Sequence, residues 1–464
     1  MKDFLAKDIL KICNGKLICG DENTVCKEFC KDTRQIKSGD VYVAIKGENF
    51  DGNLFIDDAI NNGAKVCIVD KLCKTKLEME KYVDTTIVLV EDTIKALQNL
   101  AKYKRNLYNI PVIAVTGSVG KTSTKDIIAS VMKEKYNVLK TEGNLNNHIG
   151  LPLTILKLKE HDAMVVEMGM NSFGEISVLT NIAKPTMCVI TNIGTSHIGI
   201  LGSRENILKA KLEILEGMDE KGIVIINNDN DLLSKWSNEK TNKYKVYTYG
   251  IENKSDIIAD NIRLKEYGSS FEVDINNKKY IVDVPIPGKH FIYNSLCAIS
   301  VGVNLDIDME KITNGIKKFE LTKNRMDVIK GKNETTIIND CYNASYDSMK
   351  AGIEYLANFK GNKKIAVLGD MLELGEFSKE LHEKVGEEIA KNKIDVLITV
   401  GKESENICKK AKELGMKEEN IFGCNNIQEA IEKVEKIYEP KDIILIKASN
   451  SMRFIEIKKA IELN

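Results

Sequence analysis

Proline is scarce, with 6 in 464 residues, and no tract is biased enough toward proline, glycine or polar repeats to form a disordered linker. No run of about 18 apolar residues occurs, which argues against a membrane-spanning helix. The first ten residues place Lys2, Asp3, Lys7 and Asp8 among apolar neighbours, so they read as an amphipathic helix without the apolar core of a signal peptide. A cytoplasmic protein is expected. Neither sign of charge is in excess: 67 basic residues face 68 acidic ones, a net charge of -1. Nucleic acid and membrane insertion are therefore not expected, and a phosphorylated ligand would need a local basic site. The 11 cysteines are scattered from Cys13 to Cys424, and only Cys26 and Cys30 stand close together. That pattern suits reduced thiols rather than a disulfide framework or a zinc site. No internal repeat of fixed period is present.

What is there is an ordinary globular composition, 43% hydrophobic and 29% charged, in a chain too long for one core. Short continuous Val/Ile/Leu runs alternate with helical patterns, which predicts α/β architecture with parallel sheets. Three domains are expected, over 1–107, 108–318 and 319–464. The first, a small α/β domain, carries strands at 41–45 and 66–69 with a helix near 54–62 between them. The second has a parallel sheet of strands at 112–115, 163–168, 188–193 and 223–227. Within it, 257–284 alternates apolar and polar residues about Asn276 and Asn277, predicting an antiparallel hairpin. The third follows a helix at 308–318 and holds a second parallel, Rossmann-like sheet with strands at 335–338, 365–368, 396–400 and 443–447.

The strand at 112–115 runs into Thr116, Gly117, Ser118, Val119, Gly120, Lys121, Thr122 and Ser123, then into a helical pattern through Met132. Strand, glycine turn and helix is the context of a phosphate loop. Loop amides and the helix dipole face the phosphates, Lys121 adds a point charge, and Thr122 is placed to ligate Mg²⁺. Val115 stands where the full P-loop pattern has its first glycine. The plainer reading is a tight turn with a solvated lysine.

Two later strands of the same block end in Glu167 and, a few residues on, His197. Ligands gather at the carboxyl ends of parallel strands, so both are candidates for Mg²⁺. His197 is a borderline ligand, and its alternative is a role as a hydrogen-bonding loop residue. Lys211 has Ile207, Leu208, Ile214 and Leu215 at helical spacing, which puts its stem on an apolar face. Snorkelling is the ordinary outcome there. The alternative is a carbamate formed with CO₂, which requires burial to neutralise an amine of ordinary pKa about 10.4.

At these residues the chain resembles the Mur ligase family over nearly its whole length. In the first block Asp32-Thr33-Arg34, the run 39–47 and Asp51-Gly52 resemble the UDP-binding domain, which implies that Thr33, Arg34, Lys46 and Asp51 lie near a uridine diphosphate. Thr141–Asn147 and Glu167–Asn171 resemble the branch that adds D-alanyl-D-alanine, and imply substrate contacts at Asn146 and Asn147. The resemblance also implies Glu167, His197 and a carbamylated Lys211 as metal ligands with Thr122. Gly288-Lys289-His290 with Asn294 places Asn294 near adenine. Asn324-Arg325-Met326-Asp327 implies that Arg325 reaches the nucleotide phosphates. Asp340-Cys341-Tyr342-Asn343-Ala344-Ser345 adds Asp340, Tyr342 and Asn343 to the nucleotide site, and Gly369–Gly375 with His382 and Lys447–Arg453 complete the series.

The activity implied is ATP-dependent addition of D-alanyl-D-alanine to a UDP-N-acetylmuramoyl-tripeptide through an acyl phosphate, by a monomer closing about a hinge near Phe319. The chain departs from the branch at Tyr346, Ala448 and Asn450. The Tyr346 change leaves open a variant dipeptide such as D-Ala-D-Ser. A relative adding one amino acid and a nucleotide-binding scaffold without chemistry are the remaining readings. The Asp-Asn-Pro-Arg motif of the preceding, diaminopimelate-adding ligase is absent, and no motif identifies the third residue of the tripeptide.

Overall fold

A computed structural model describes residues 4–73, 82, 84–239, 244–265, 268–320, 322 and 325–463. Two compact units emerge: Met1–Ala114 with Tyr136–Cys188 and Glu213–Gly222, and Val115–Lys135 with Val189–Leu212 and Ile223–Asn464.

The first unit opens with a short strand, Phe4–Leu5, paired antiparallel with Val25–Cys26. The expected helix over 1–10 therefore begins only at Ala6 and runs to Cys13. Asp8 sets that start, because its carboxylate accepts the Leu5 N–H at 2.8 Å. The predicted positions of Lys2 and Asp3 lie outside the described residues. A five-stranded sheet follows, in the order Lys16–Cys19, Thr86–Leu89, Val66–Val69, Val41–Val43, Phe29–Cys30. Its central strands are buried and parallel, and the Lys16–Cys19 edge is antiparallel. The edge strands escaped the sequence reading because they are short and half-exposed, with no continuous apolar run to mark them.

A seven-stranded sheet is ordered Ile257–Ile258, Lys245–Gly250, Ile223–Asn227, Met187–Ile190, Val112–Thr116, Ala163–Glu167, Val138–Lys140. The three strands 112–116, 163–167 and 187–190 are buried at every residue. Burial on both faces is what a parallel sheet covered by helices demands.

The hairpin expected over 257–284 is corrected in its first strand. Ile257–Ile258 joins the seven-stranded sheet beside Lys245–Gly250, and a separate three-stranded sheet holds Asp260–Leu264, Ser269–Ile275 and Lys278–Val284. Asn261, at φ 51°, lies within the first of these three strands, where the register shifts between Asp260 and Arg263. The turn itself is where the sequence placed it: Asn276 and Asn277 adopt φ 55° and 62°, the double left-handed geometry that matches strand twist.

The C-terminal part of the second unit is a six-stranded sheet, ordered Asp327–Lys330, Thr336–Asn339, Ile443–Lys447, Lys364–Gly369, Val396–Val400, Ile421–Cys424. It is not wholly parallel as expected, since Asp327–Lys330 runs antiparallel to Thr336–Asn339 at one edge. That strand alternates between half-buried and exposed residues, the signature of an edge with one wet face. Among the described residues no helix is long and apolar enough to cross a membrane, and no disulfide joins the cysteines.

Candidate active site

Thr116 ends a buried strand and leads into a turn that two glycines make possible. Gly117, at φ 149°, lies so near Thr191 that an added Cβ would stand 1.9 Å from the threonine hydroxyl oxygen. Gly120, at φ 82°, starts the loop helix Lys121–Met132. Gly117→Ala should therefore lower the unfolding free energy by about 3 kcal/mol, as over-packing against a fixed neighbour does. Denaturant unfolding would measure it, and an unchanged midpoint would contradict the close approach.

The turn is tied to the segment 191–196. Ser118 N–H donates to the Asn192 carbonyl at 3.0 Å and Val119 N–H to Asn192 Oδ1 at 2.9 Å. Thr191 Oγ1 donates to the Val119 carbonyl at 2.7 Å, and Gly194 N–H to Ser118 Oγ at 2.9 Å. Two amides expected to point at phosphate are thus engaged by Asn192, a residue to which the sequence reading gave no role. The amides of residues 121–123 precede the first i→i−4 bond, which Thr124 donates to Gly120, and the positive end of the helix dipole lies there. Lys121 curls over the turn, donating from Nζ to the carbonyls of Gly117 at 2.8 Å and Ser118 at 3.2 Å. Thr122 is buried and Ser123 half-buried. Asn294, expected near adenine, sits on the buried helix Lys289–Asn304 and accepts from Thr124 Oγ1 at 3.0 Å.

Lys211 does not snorkel. It is 2% exposed on the helix Arg204–Leu212, among buried Ile207 and Ala210. Burial, reinforced by the charge of Lys121, drives its pKa well below the ordinary lysine value. His197 is pushed down by the same two causes, burial first and Lys121 second, against an upward pull from Glu373. Both shifts favour the neutral forms of Lys211 and His197, which leaves Lys121 as the fixed cation among the three.

Glu167 closes its strand as a buried carboxylate. Its Oε1 accepts from Asn146 Nδ2 at 2.8 Å, and its backbone N–H donates to Thr141 Oγ1 at 3.0 Å. Asn147 has a different local task, accepting from the N–H groups of Ile149 and Gly150 at 3.2 and 2.8 Å where the helix Gly150–Leu156 begins.

In the C-terminal sheet the Arg325 guanidinium stacks on the Tyr342 ring, 4.0 Å from its centroid. Asp340 accepts from buried Lys447 Nζ at 2.5 Å and from Met326 N–H at 3.3 Å, and Lys447 also donates to the Asn343 carbonyl at 2.9 Å. Arg325, Asp340, Tyr342 and Asn343 are thus neighbours. Asn324 lies outside the described residues. Tyr346 begins the helix Tyr346–Asn358 and directs its hydroxyl to Glu388 at 3.4 Å, while Ala448 is buried and Asn450 opens a short 3-10 turn. The residue after Tyr346 matters more to the loop. Asp347 accepts from the Thr195 N–H at 3.0 Å, and its carboxylate fills the space where a Cβ on Gly194 would be.

Thr33 and Arg34 lie on a short 3-10 turn. Arg34 donates two bonds to Asp32, at 2.9 and 2.8 Å, yet its side chain is 86% exposed. Those bonds hold the Asp32 carboxyl down at about 2. Lys46 and Asp51 form an isolated antiparallel bridge, and Asp51 caps the next turn by accepting from Asn53.

Three family models match the chain in order: the Mur ligase family catalytic domain over 30–105, the Mur ligase middle domain over 115–302, and the Mur ligase glutamate ligase domain over 324–450. The UDP-N-acetylmuramoyl-tripeptide--D-alanyl-D-alanine ligase of Bacillus subtilis (strain 168) is 38% identical over 457 residues, 98% of this chain and 97% of that protein. A crystal structure of MurF from Acinetobacter baumannii matches with a TM-score of 0.87 at 28% identity, covering 99% of this chain and 98% of the other. MurF ligase from Thermotoga maritima in complex with ADP gives a TM-score of 0.79 at 30% identity, over 94% and 96% of the two chains. Motif order, loop architecture and similarity along the whole length agree: the chain belongs to the Mur ligase family.

Proposed function

We propose that this chain is an ATP-dependent ligase that adds D-alanyl-D-alanine to a UDP-N-acetylmuramoyl-tripeptide, releasing ADP and phosphate, in the cytoplasmic synthesis of peptidoglycan precursors. Relatives that carry this ligase name match over nearly the full length. The observation that carries the chemistry is the Lys121 ammonium on a glycine turn at the start of the loop helix, a local cation for phosphate in a chain with no net basic charge, beside Lys211, which burial holds toward its neutral form.

In this reading an oxygen of the tripeptide's free carboxylate attacks the γ-phosphorus of ATP, the bond to the β-bridging oxygen breaks, and ADP leaves. The amine of D-alanyl-D-alanine then attacks the acyl phosphate carbon and gives up a proton, and the tetrahedral intermediate expels phosphate. Both steps gather negative charge on phosphoryl oxygens. Lys121 and the amides at the start of the loop helix supply fixed positive charge there. Residues 116–123 cradle the phosphates, with Asn294, Arg325, Asp340, Tyr342 and Asn343 as the remaining nucleotide contacts. Thr33, Arg34, Lys46 and Asp51 are assigned to the uridine diphosphate, and Asn146 and Asn147 to the growing peptide. The catalytic roles fall to Lys121, Glu167, His197 and Lys211, on a monomer of three domains over 1–107, 108–318 and 319–464.

By motif the metal set is Thr122, Glu167, His197 and Lys211. Among the described residues no group of three His, Cys, Asp or Glu is placed to hold a metal ion, so the fit to a hard cation turns on Lys211, whose carbamate would add a second anionic oxygen ligand. A buried amine kept neutral is the form that reacts with CO₂. When bound, Mg²⁺ neutralises charge on the transferring phosphoryl group. The D-alanyl-D-alanine reading is favoured over a variant dipeptide by the names of the relatives that match over nearly the full length.

The test is phosphate release with purified UDP-muramoyl tripeptides ending in diaminopimelate or lysine, against D,D-dipeptides and single amino acids. Release that requires both a tripeptide and D-alanyl-D-alanine is expected. Preference for a single amino acid, or ATP binding without substrate-dependent release, would overturn the assignment.

A further inference from the structure

Two left-handed turns from distant parts of the chain are fastened together beside the loop. His197, at φ 64°, precedes the short helix Ile198–Leu201, and Glu373, at φ 61°, lies in the motif 369–375. This conformation costs a residue with a side chain about 1–2 kcal/mol, and it persists where surrounding contacts enforce it. Here the two turns enforce each other. Gly199 N–H donates to the Glu373 carbonyl at 3.1 Å. The backbones approach so closely that a Cβ on Gly199 would lie 2.5 Å from the nitrogen of Gly375, itself at φ 54°. On that scaffold His197 Nδ1 meets Glu373 Oε2 at 2.6 Å.

A carboxylate accepts and does not donate, so the proton of this bond belongs to Nδ1 and the lone pair of the neutral ring is left on Nε2. Free neutral imidazole favours the opposite tautomer. Glu373 is 49% exposed on its side chain, and a half-exposed pair contributes little stability of its own. Its geometric consequence is larger, because it selects both the tautomer and the direction of the ring.

We propose that Glu373 is a positioning residue that fixes His197 through Nδ1, so that the lone pair of Nε2 is held ready for the divalent cation. The inference rests on the reading of His197 as a metal ligand. It gives a task to a motif, Gly369–Gly375, that the mechanism otherwise leaves without one. It also makes the orientation of His197 depend on the turn of the C-terminal sheet being docked.

The ligand-free full chain labelled with ¹⁵N allows a long-range ¹H–¹⁵N spectrum of its 5 histidines, with His197→Asn identifying the relevant signals. Wild type should show Nδ1 protonated and Nε2 bare. Glu373→Ala should shift His197 toward the Nε2–H form, and Glu373→Gln, whose amide oxygen still accepts, should largely retain the wild-type pattern. Turnover should follow: kcat falls about 10-fold or more in the alanine variant, within the range for partners that orient metal ligands, recovers in the glutamine variant, and KM for ATP stays near wild type. An Nε2–H tautomer in wild type, or an alanine-variant spectrum identical to wild type, would overturn the proposal. The spectra need no substrate, so a wild-type chain without ligase activity would defeat the functional reading while the tautomer is judged separately.

Discussion

Lys211→Met should lose about 10³-fold in substrate-dependent phosphate release while folding at least as stably as the wild-type chain. The two effects have opposite signs for one reason. Lys211 is buried, and both its burial and the nearby charge of Lys121 work against an ammonium. Methionine keeps an unbranched stem of similar length and removes the polar terminus, so the folded state is relieved by about 1 kcal/mol or more. What methionine cannot do is carry CO₂. A carbamate turns a position unsuited to a cation into an anionic ligand, and its loss removes charge stabilisation of the size seen when one preorganised group is deleted from an active site. Thermal unfolding and phosphate release measure the two halves independently. ¹³C-bicarbonate should also give a carbamate resonance in the wild type that the variant lacks. Full activity in the variant, or no resonance in the active Mg²⁺-loaded enzyme, would remove the carbamate from the mechanism.

Lys121→Ala should abolish ATP turnover, again by about 10³-fold or more, with little change in melting temperature. The ammonium donates to the carbonyls of Gly117 and Ser118 within its own turn, and it lies within electrostatic reach of two other basic groups. Its removal therefore loses bonds within one short turn, and the effect on folding is small. Catalysis has no such compensation, because phosphoryl transfer depends on positive charge already placed where negative charge gathers. A variant that turns over ATP at the wild-type rate would move the phosphate site away from the glycine turn. One that fails to fold would show that the lysine's task is structural.

The central strands were legible in advance because burial on both faces leaves a continuous apolar run, as at 112–116 and 443–447. Short edge strands such as Phe29–Cys30 and Asp327–Lys330 were not, since one wet face erases that signal. The same contrast holds at the site. The glycine turn announced itself through residues whose backbone freedom is local chemistry. Asn192, Asp347 and Glu373 could not be assigned roles from spacing, because each acts across a long stretch of chain: on Val119, on Thr195 and on His197.

The sequence by itself determined the α/β class, the order of the motifs and the glycine turn between strand and helix, all of which depend on neighbours within a few residues. Only the tertiary structure decided that Lys211 is buried rather than snorkelling, that two loop amides are held by Asn192, and that His197 is gripped by Glu373. Whether a side chain is desolvated, and which charge stands beside it, depends on packing between segments far apart in the chain, and local periodicity carries no record of that.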